Sequence, residues 1–345
     1  MSIDRRPAPA PVETAAPGTV AGALSARGLH VGYGLPGGRT ARAVDGVDLD
    51  IAPGEIVALA GESGCGKTTL ARALLGLERP TAGTVTHNGS PLRYKTKALK
   101  AFRRKVQLVL QDPTGALNPR HTVYDAVAEG PRIHRCGGDE RERVARALSQ
   151  AGLRPAEKYF LAYPHELSGG QRQRVVIAGA LALEPEIIVA DEPVASLDAS
   201  VRGEILALLL RLRDEAGLGA LVVTHDLGLA WSIADRIAVM YLGRIVEQGP
   251  ADQVLTDPRH PYTRALVSVL PNSPVPEPIV LEGETPDATL IPGGCRFHLR
   301  CQELASGAAA RAGVDGACRG SELPVLRADT ADRAVACHLH ASGSE

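Results

Sequence analysis

One eight-residue segment restricts the fold more than any other: Gly61-Glu62-Ser63-Gly64-Cys65-Gly66-Lys67-Thr68 matches G-x-x-x-x-G-K-[ST]. It follows the apolar run Glu55 to Ala60, read as a strand, and precedes Thr68 to Leu77, read as a helix with Leu70, Leu74 and Leu77 on one face. Strand, loop and helix in that order are the context a phosphate-binding loop requires. Glycines let backbone N–H groups converge on phosphate oxygens, and the helix start adds partial positive charge. Lys67 neutralises the β- and γ-phosphates, and the Thr68 hydroxyl can ligate Mg²⁺. Gly61, Ser63, Gly64, Cys65, Gly66, Lys67, Thr68 and Thr69 are therefore the nucleotide-binding candidates here. The Cys65 thiol has no required chemistry and reads as a small space-filling group.

The chain around this loop alternates strands and helices from Ala23 to about Pro258, an α/β pattern. Val106 to Leu110 reads as a strand, and Glu140 to Leu153 as an amphipathic helix inside a mostly helical insert over about 112–168. Ile187 to Val189 runs into Asp191-Glu192, a Leu-rich helix covers Val201 to Asp214, and Ala220 to Val223 runs into Thr224-His225-Asp226. Ligands of open parallel sheets collect at the carboxyl ends of strands, so these polar endings belong to one expected site. Asp191 is expected to hold Mg²⁺, and Glu192 to polarise an attacking water.

Leu167-Ser168-Gly169-Gly170-Gln171 opens the helix after the insert, and with it the chain resembles the ATP-binding subunit of an ABC transporter over about 23–258. The resemblance implies a P-loop NTPase fold of the ABC nucleotide-binding type with a helical subdomain. It implies Tyr33 stacking on adenine, Gln111 reaching Mg²⁺ and the attacking water, Asp198 beside the nucleotide, and His225 on the γ-phosphate. It also implies that Ser168, Gly169, Gly170 and Gln171 complete the ATP site of a facing ATPase subunit, in a heterodimer or a homodimer. The implied complex adds two transmembrane permease subunits, docked near the Gln111 loop and the insert, and an extracytoplasmic substrate-binding protein. Its ATPase sits peripherally on the cytoplasmic face of the membrane.

Composition limits the alternatives. With 38 Lys+Arg against 39 Asp+Glu and no basic block, a general nucleic-acid binder is not expected. No apolar run approaches the ~18 residues of a membrane span. Residues 1–22 read as a loose Pro- and Ala-containing tail. A non-transport ABC ATPase with a long coiled coil is disfavoured, because 98 residues without a heptad run separate Thr68 from Leu167.

From Pro258 six prolines fall within 21 residues, marking a second module over 259–345. His260-Pro261-Tyr262-Thr263-Arg264-Ala265-Leu266 and the Cys295 to Cys301 segment resemble the C-terminal extension of dipeptide and oligopeptide importer ATPases. That group also includes nickel, opine and glutathione importers. Cys295, Cys301, Cys318 and Cys337 have the spacing C-x5-C-x16-C-x18-C. Four thiolates suit a [4Fe–4S] cluster, which the resemblance favours, or a tetrahedral Zn²⁺; free buried thiols are the third reading.

Overall fold

In the computed structural model, residues 23–195, 197–271, 273–320 and 323–340 are described; the N-terminal tail expected over 1–22 and Ser196 lie outside them. The central strand is β3, for which the sequence supplies five short or branched apolar residues, all buried. Residues buried on both faces are what a parallel strand covered by helices requires.

The strands are β1 (Leu24–Gly34), β2 (Thr40–Ile51), β3 (Ile56–Ala60), β4 (Ala82–His87), β5 (Ser90–Pro91) and β6 (Val106–Val109). They continue as β7 (Ile187–Asp191), β8 (Gly219–Thr224), β9 (Arg236–Tyr241), β10 (Arg244–Pro250), β11 (Arg327–Ala328) and β12 (Ala334–Val335). An antiparallel sheet has the order β2-β1-β4-β5, and the main sheet β11-β12-β10-β9-β3-β8-β7-β6. From β9 to β6 the main-sheet neighbours are parallel, with Ala60 opposite Thr224, Asp191 opposite Val223 and Val109 opposite Ala190. Those registers bring the carboxyl ends of β3, β8, β7 and β6 side by side.

Helices alternate with the strands: α1 (Lys67–Leu74), α2 (Thr96–Lys105), α3 (Pro113–Ala116), α4 (Val123–His134), α5 (Glu140–Gln150), α6 (Gly169–Leu181), α7 (Ala199–Ala216) and α8 (Leu227–Ile233). After β10 come α9 (Ala251–Thr256), α10 (Pro261–Ser268), α11 (Gln302–Ala305), α12 (Ala308–Arg311) and α13 (Asp315–Arg319). Helix α1 stops three residues short of the expected Leu77, because Gly76 takes φ +62° and turns the chain away. Helix α5 likewise ends before Leu153, at a turn containing Gly152 with φ +84°. Helix α6 lies beyond residue 168 in sequence, yet it packs with α4 and α5 around Val127, Val144, Leu148 and Ile177.

Alternation along the strands sorts the core. Val57, Leu59, Leu221, Val223, Ile187 and Val189 share one cluster with α1 and the antiparallel sheet. Ala58, Ala60, Ile237, Val239 and Tyr241 point the other way, into a cluster that also takes in Tyr262, Cys295, Phe297, Leu304 and Cys318. The segment after α10 thus shares a core with the central sheet. Phe297 sits 5.2 Å from the Tyr241 ring and 5.4 Å from that of Tyr262, with all three side chains buried. The chain then returns as β12, pairing Val335 with Glu247 of β10. Among the described residues no helix is long and apolar enough to cross a membrane.

Candidate nucleotide site

The phosphate loop leaves β3 through Gly61 and enters α1 through Gly66, with φ of +150° and +110°. A Cβ at Gly61 would overlap the Met240 carbonyl oxygen, and one at Gly66 that of Ala43, so neighbouring backbone as well as φ requires glycine. Lys67 is buried at 6% exposure, and its Nζ donates to the carbonyl oxygens of Gly61 at 2.7 Å and Glu62 at 2.9 Å. The ammonium is held inside the loop's own turn. Cys65 is buried beneath it, and burial raises its thiol pKa against the lowering charge of Lys67, which matches a packing role.

Three neighbouring strand ends complete the arrangement. At the end of β7 the Asp191 carboxylate accepts a hydrogen bond from Thr68 Oγ1 at 3.4 Å. Burial raises the Asp191 pKa, as does the charge of Glu192, while the Thr68 bond, Arg72 and Lys67 oppose the rise. Glu192 follows with φ +46°, and its backbone N–H donates to the Val223 oxygen of β8 at 3.0 Å. Its carboxylate is divided between two partners. Gln111, just beyond β6, donates from Nε2 to Oε2 at 3.1 Å, and Nδ1 of His225, just beyond β8, lies 3.0 Å from Oε1. An ionised carboxylate only accepts, so the latter bond requires a proton on His225 Nδ1.

Ala43, Ser63, Gly64, Gly66, Lys67, Thr68, Thr69, Glu192 and His225 line a cleft of about 470 Å³. A cationic loop at one wall and a doubly oriented carboxylate at the other can bind a polyphosphate and activate water beside it. For Mg²⁺ the donors fit: Thr68 and Asp191 are hard oxygen ligands side by side, and this ion usually takes one or two protein ligands with phosphate and water. Bound there, Mg²⁺ would neutralise phosphate charge. Gln111 is bonded to Glu192 by its amide nitrogen.

The remaining expected residues stand elsewhere. Tyr33 is 38% exposed on β1, opposite Ala41 of β2, and does not line the cleft. Ser168 caps α6: its Oγ accepts from the Gln171 N–H at 3.2 Å, while Gln171 Oε1 accepts from the Ser168 N–H at 2.9 Å. Gly170 packs against Val201, and Gly169 faces Leu197. Asp198 precedes α7, and its backbone oxygen accepts from the Arg202 N–H at 2.9 Å. None of Ser168 to Gln171 lines the cleft.

Cys295, Cys301, Cys318 and Cys337 do not line the cleft. Among the described residues no three His, Cys, Asp or Glu side chains are grouped to hold a metal ion, and all four are free thiols. Burial pushes the thiols of Cys295 and Cys337 up to about 12, with Cys301 and Cys318 adding to the rise in both. The four do share a neighbourhood: Cys295 and Cys318 lie in one buried cluster with Cys301 packed against it, the Cys295 N–H donates to the Cys318 oxygen at 3.0 Å, and all three raise the Cys337 thiol.

The sequence reading missed what supports the phosphate loop from behind. Arg300 donates to both Glu62 carboxylate oxygens, at 2.8 and 3.0 Å, Thr285 donates at 2.8 Å, and the Glu62 N–H donates to the Tyr262 hydroxyl at 2.8 Å. Glu62 and Arg300 are 238 residues apart, and no local pattern signals such a pairing.

The ABC transporter family matches residues 44–195, and the oligopeptide/dipeptide transporter C-terminal region matches residues 246–306. The putative oligopeptide transport ATP-binding protein YkfD of Bacillus subtilis is 43% identical over 88% of this chain and 91% of that protein. The dipeptide transport ATP-binding protein DppF of Escherichia coli is 43% identical over 76% of this chain and 80% of that protein. Among solved structures, cbiO1 of Clostridium perfringens, part of the ABC transporter complex cbiONQ, superposes with a TM-score of 0.61 at 32% identity, over 68% of this chain and 90% of that one. The ATP-binding cassette MJ0796 bound to ADP and Pi gives 0.59 at 31%, over 66% and 98%. The chain is an ATPase and belongs to the ATP-binding subunits of the dipeptide and oligopeptide ABC transporter family.

Proposed function

We propose that this ATPase drives peptide uptake, hydrolysing ATP on the cytoplasmic face of a membrane whose permease subunits are separate chains. The carrying observation is the Gln111–Glu192–His225 relay, which shares the cleft with Lys67 and Thr68 and adjoins the Thr68–Asp191 pair. In this reading Lys67 and the loop N–H groups hold the triphosphate, Thr68, Asp191 and Gln111 hold Mg²⁺, Glu192 takes a proton from the attacking water, and His225 meets the γ-phosphate. Tyr33 stacks on adenine. Ser168, Gly169, Gly170 and Gln171, away from the cleft and built as a helix start, serve the nucleotide of a facing ATPase subunit, whose loop and cleft they cover. Asp198 lies at that same junction.

Closure of the two ATPases on ATP and their release after hydrolysis supply the movement that two permease subunits convert into transport, with substrate delivered by an extracytoplasmic binding protein. Residues 23–258 form the motor in this division, and 259–345 the extension. Peptide as cargo is supported by the naming of the relatives and by the C-terminal match at 246–306. Uptake of a labelled dipeptide in a strain deleted for this chain tests it. Loss restored by the wild-type chain supports peptide; intact dipeptide uptake with lost nickel, opine or glutathione uptake replaces the cargo.

A [4Fe–4S] cluster on Cys295, Cys301, Cys318 and Cys337 is a separate proposal, supported by the resemblance and the shared neighbourhood of the sulfurs. Four irons per chain and broad visible absorbance after anaerobic purification are expected of a loaded centre. A colourless, iron-free and fully folded protein contradicts it, and one zinc per chain replaces it.

A further inference from the structure

We propose that Arg300, in the cysteine-bearing segment, is a positioning residue of the nucleotide site: it fixes and neutralises Glu62, keeping the phosphate loop in shape and charge for the incoming triphosphate. The inference rests on the reading of Gly61 to Thr68 as the ATP loop.

Every polar group of Glu62 is engaged. Its N–H meets Tyr262, its carbonyl oxygen accepts from Lys67 at 2.9 Å, and its carboxylate takes Arg300 in a two-pronged bond and Thr285 in a third. The Arg300 side chain is only 7% exposed, and the Glu62 side chain 27%. A paired guanidinium fork of this kind fixes orientation as well as charge. The platform behind it is rigid in its packing. Phe297, three residues before Arg300, is wedged between Tyr241 at the end of β9 and Tyr262 of α10. Tyr262 thus belongs both to that aromatic cluster and to the loop's hydrogen bonds.

Arg300 also sets the charge of Glu62, separately from its shape. Burial alone would raise the Glu62 carboxyl, but the Arg300 and Thr285 hydrogen bonds, with the charges of Arg300 and Lys67, hold it below the ordinary carboxylate range. Glu62 is therefore an anion one residue from the loop's first glycine, with its backbone bonded to the lysine that must receive phosphate. Without Arg300 that anion would compete for Lys67 and repel the triphosphate.

The test measures binding of a fluorescent ATP analogue with Mg²⁺ to the full chain. Arg300→Ala is expected to weaken binding roughly tenfold and to raise KM for ATP by a similar factor, with kcat little changed. Adding Glu62→Gln removes the released charge and should recover affinity to within about threefold of wild type, a rescue that general damage to the fold would not give. Unchanged affinity in Arg300→Ala, or no recovery in the double variant, overturns the proposal. Should Arg300→Ala fail to fold, Tyr262→Phe keeps the ring packing and removes only the bond to Glu62. A loss of about threefold is expected there, and wild-type affinity overturns the proposal. Failure of the wild-type chain to bind MgATP would instead sink the nucleotide reading itself.

Discussion

The nucleotide cleft and the C-terminal region are built on opposite principles. In the cleft, four neighbouring parallel strands deliver the phosphate loop, His225, Asp191-Glu192 and Gln111 at adjacent carboxyl ends, and regular backbone does the positioning. The region after α10 has, among the described residues, no helix longer than five residues, so its attachment relies on a shared aromatic core and on side-chain pairs of long sequence separation. Arg296 and Arg333, both buried, and Arg300, with its side chain only 7% exposed, reach Asp45, Glu247 and Glu62 respectively. Regular architecture places chemistry where water and substrate can enter, whereas buried charge fixes an irregular segment in one register. Burying charge is costly unless it is paired, so each arginine specifies its docking position more than it adds stability.

The contrast can be broken by exchanging the expected effects. The largest is expected in the C-terminal region. Arg333 is 3% exposed against a fully buried Glu247, which also accepts from the backbone N–H groups of Arg259 and His260. Arg333→Met should cost about 3–5 kcal/mol in chemical denaturation by stranding the carboxylate. A cost below about 1 kcal/mol would mean that this pair does not anchor the segment.

In the cleft the reverse is expected. Lys67→Ala should reduce nucleotide affinity roughly a hundredfold, while the unfolding midpoint moves little. A large stability loss with unchanged affinity would make Lys67 structural.

A dependence on pH separates the two regions further. His260 caps α10 by accepting from the Tyr262 N–H, and burial, with a smaller effect of His340, pushes its pKa down to about 3 from an ordinary 6.5. Between those values the unfolded chain binds the proton and the native chain does not. Stability is then fully present above about pH 6.5 and falls as pH drops toward 3, by up to about 1.4 kcal/mol per pH unit. His260→Asn retains a capping acceptor and should flatten the slope of unfolding free energy between pH 6 and pH 4, by about one proton. An unchanged slope assigns the acid sensitivity to other groups.

Legibility in the sequence follows the same division. The phosphate loop announces itself within eight residues, and the polar strand ends were readable because each follows a short apolar run. The bonds from Gln111 and His225 to one carboxylate depend on strand order, which the run of residues does not encode. Arg300 had no visible signal: its partner is 238 residues away, and both stand among ordinary charged residues. The cysteines are the intermediate case: their clustering late in the chain suggests a ligand set, but spacing alone does not say whether four side chains aim at one point, and no group of three or more ligands stands together among the described residues. Helix ends were misjudged where Gly76 and Gly152 turn the chain at positive φ ahead of a last apolar residue.

Glu192, held by Gln111 and His225, is the base proposed for the water that attacks ATP. The most direct measurement is single-turnover hydrolysis by Glu192→Gln under conditions where MgATP binding is saturated. The glutamine keeps the size and loses the base, so binding should persist while hydrolysis slows by about 10²–10⁴-fold, and the ATP-bound chain should remain in a stable closed dimer. Wild-type turnover in that variant would contradict the account.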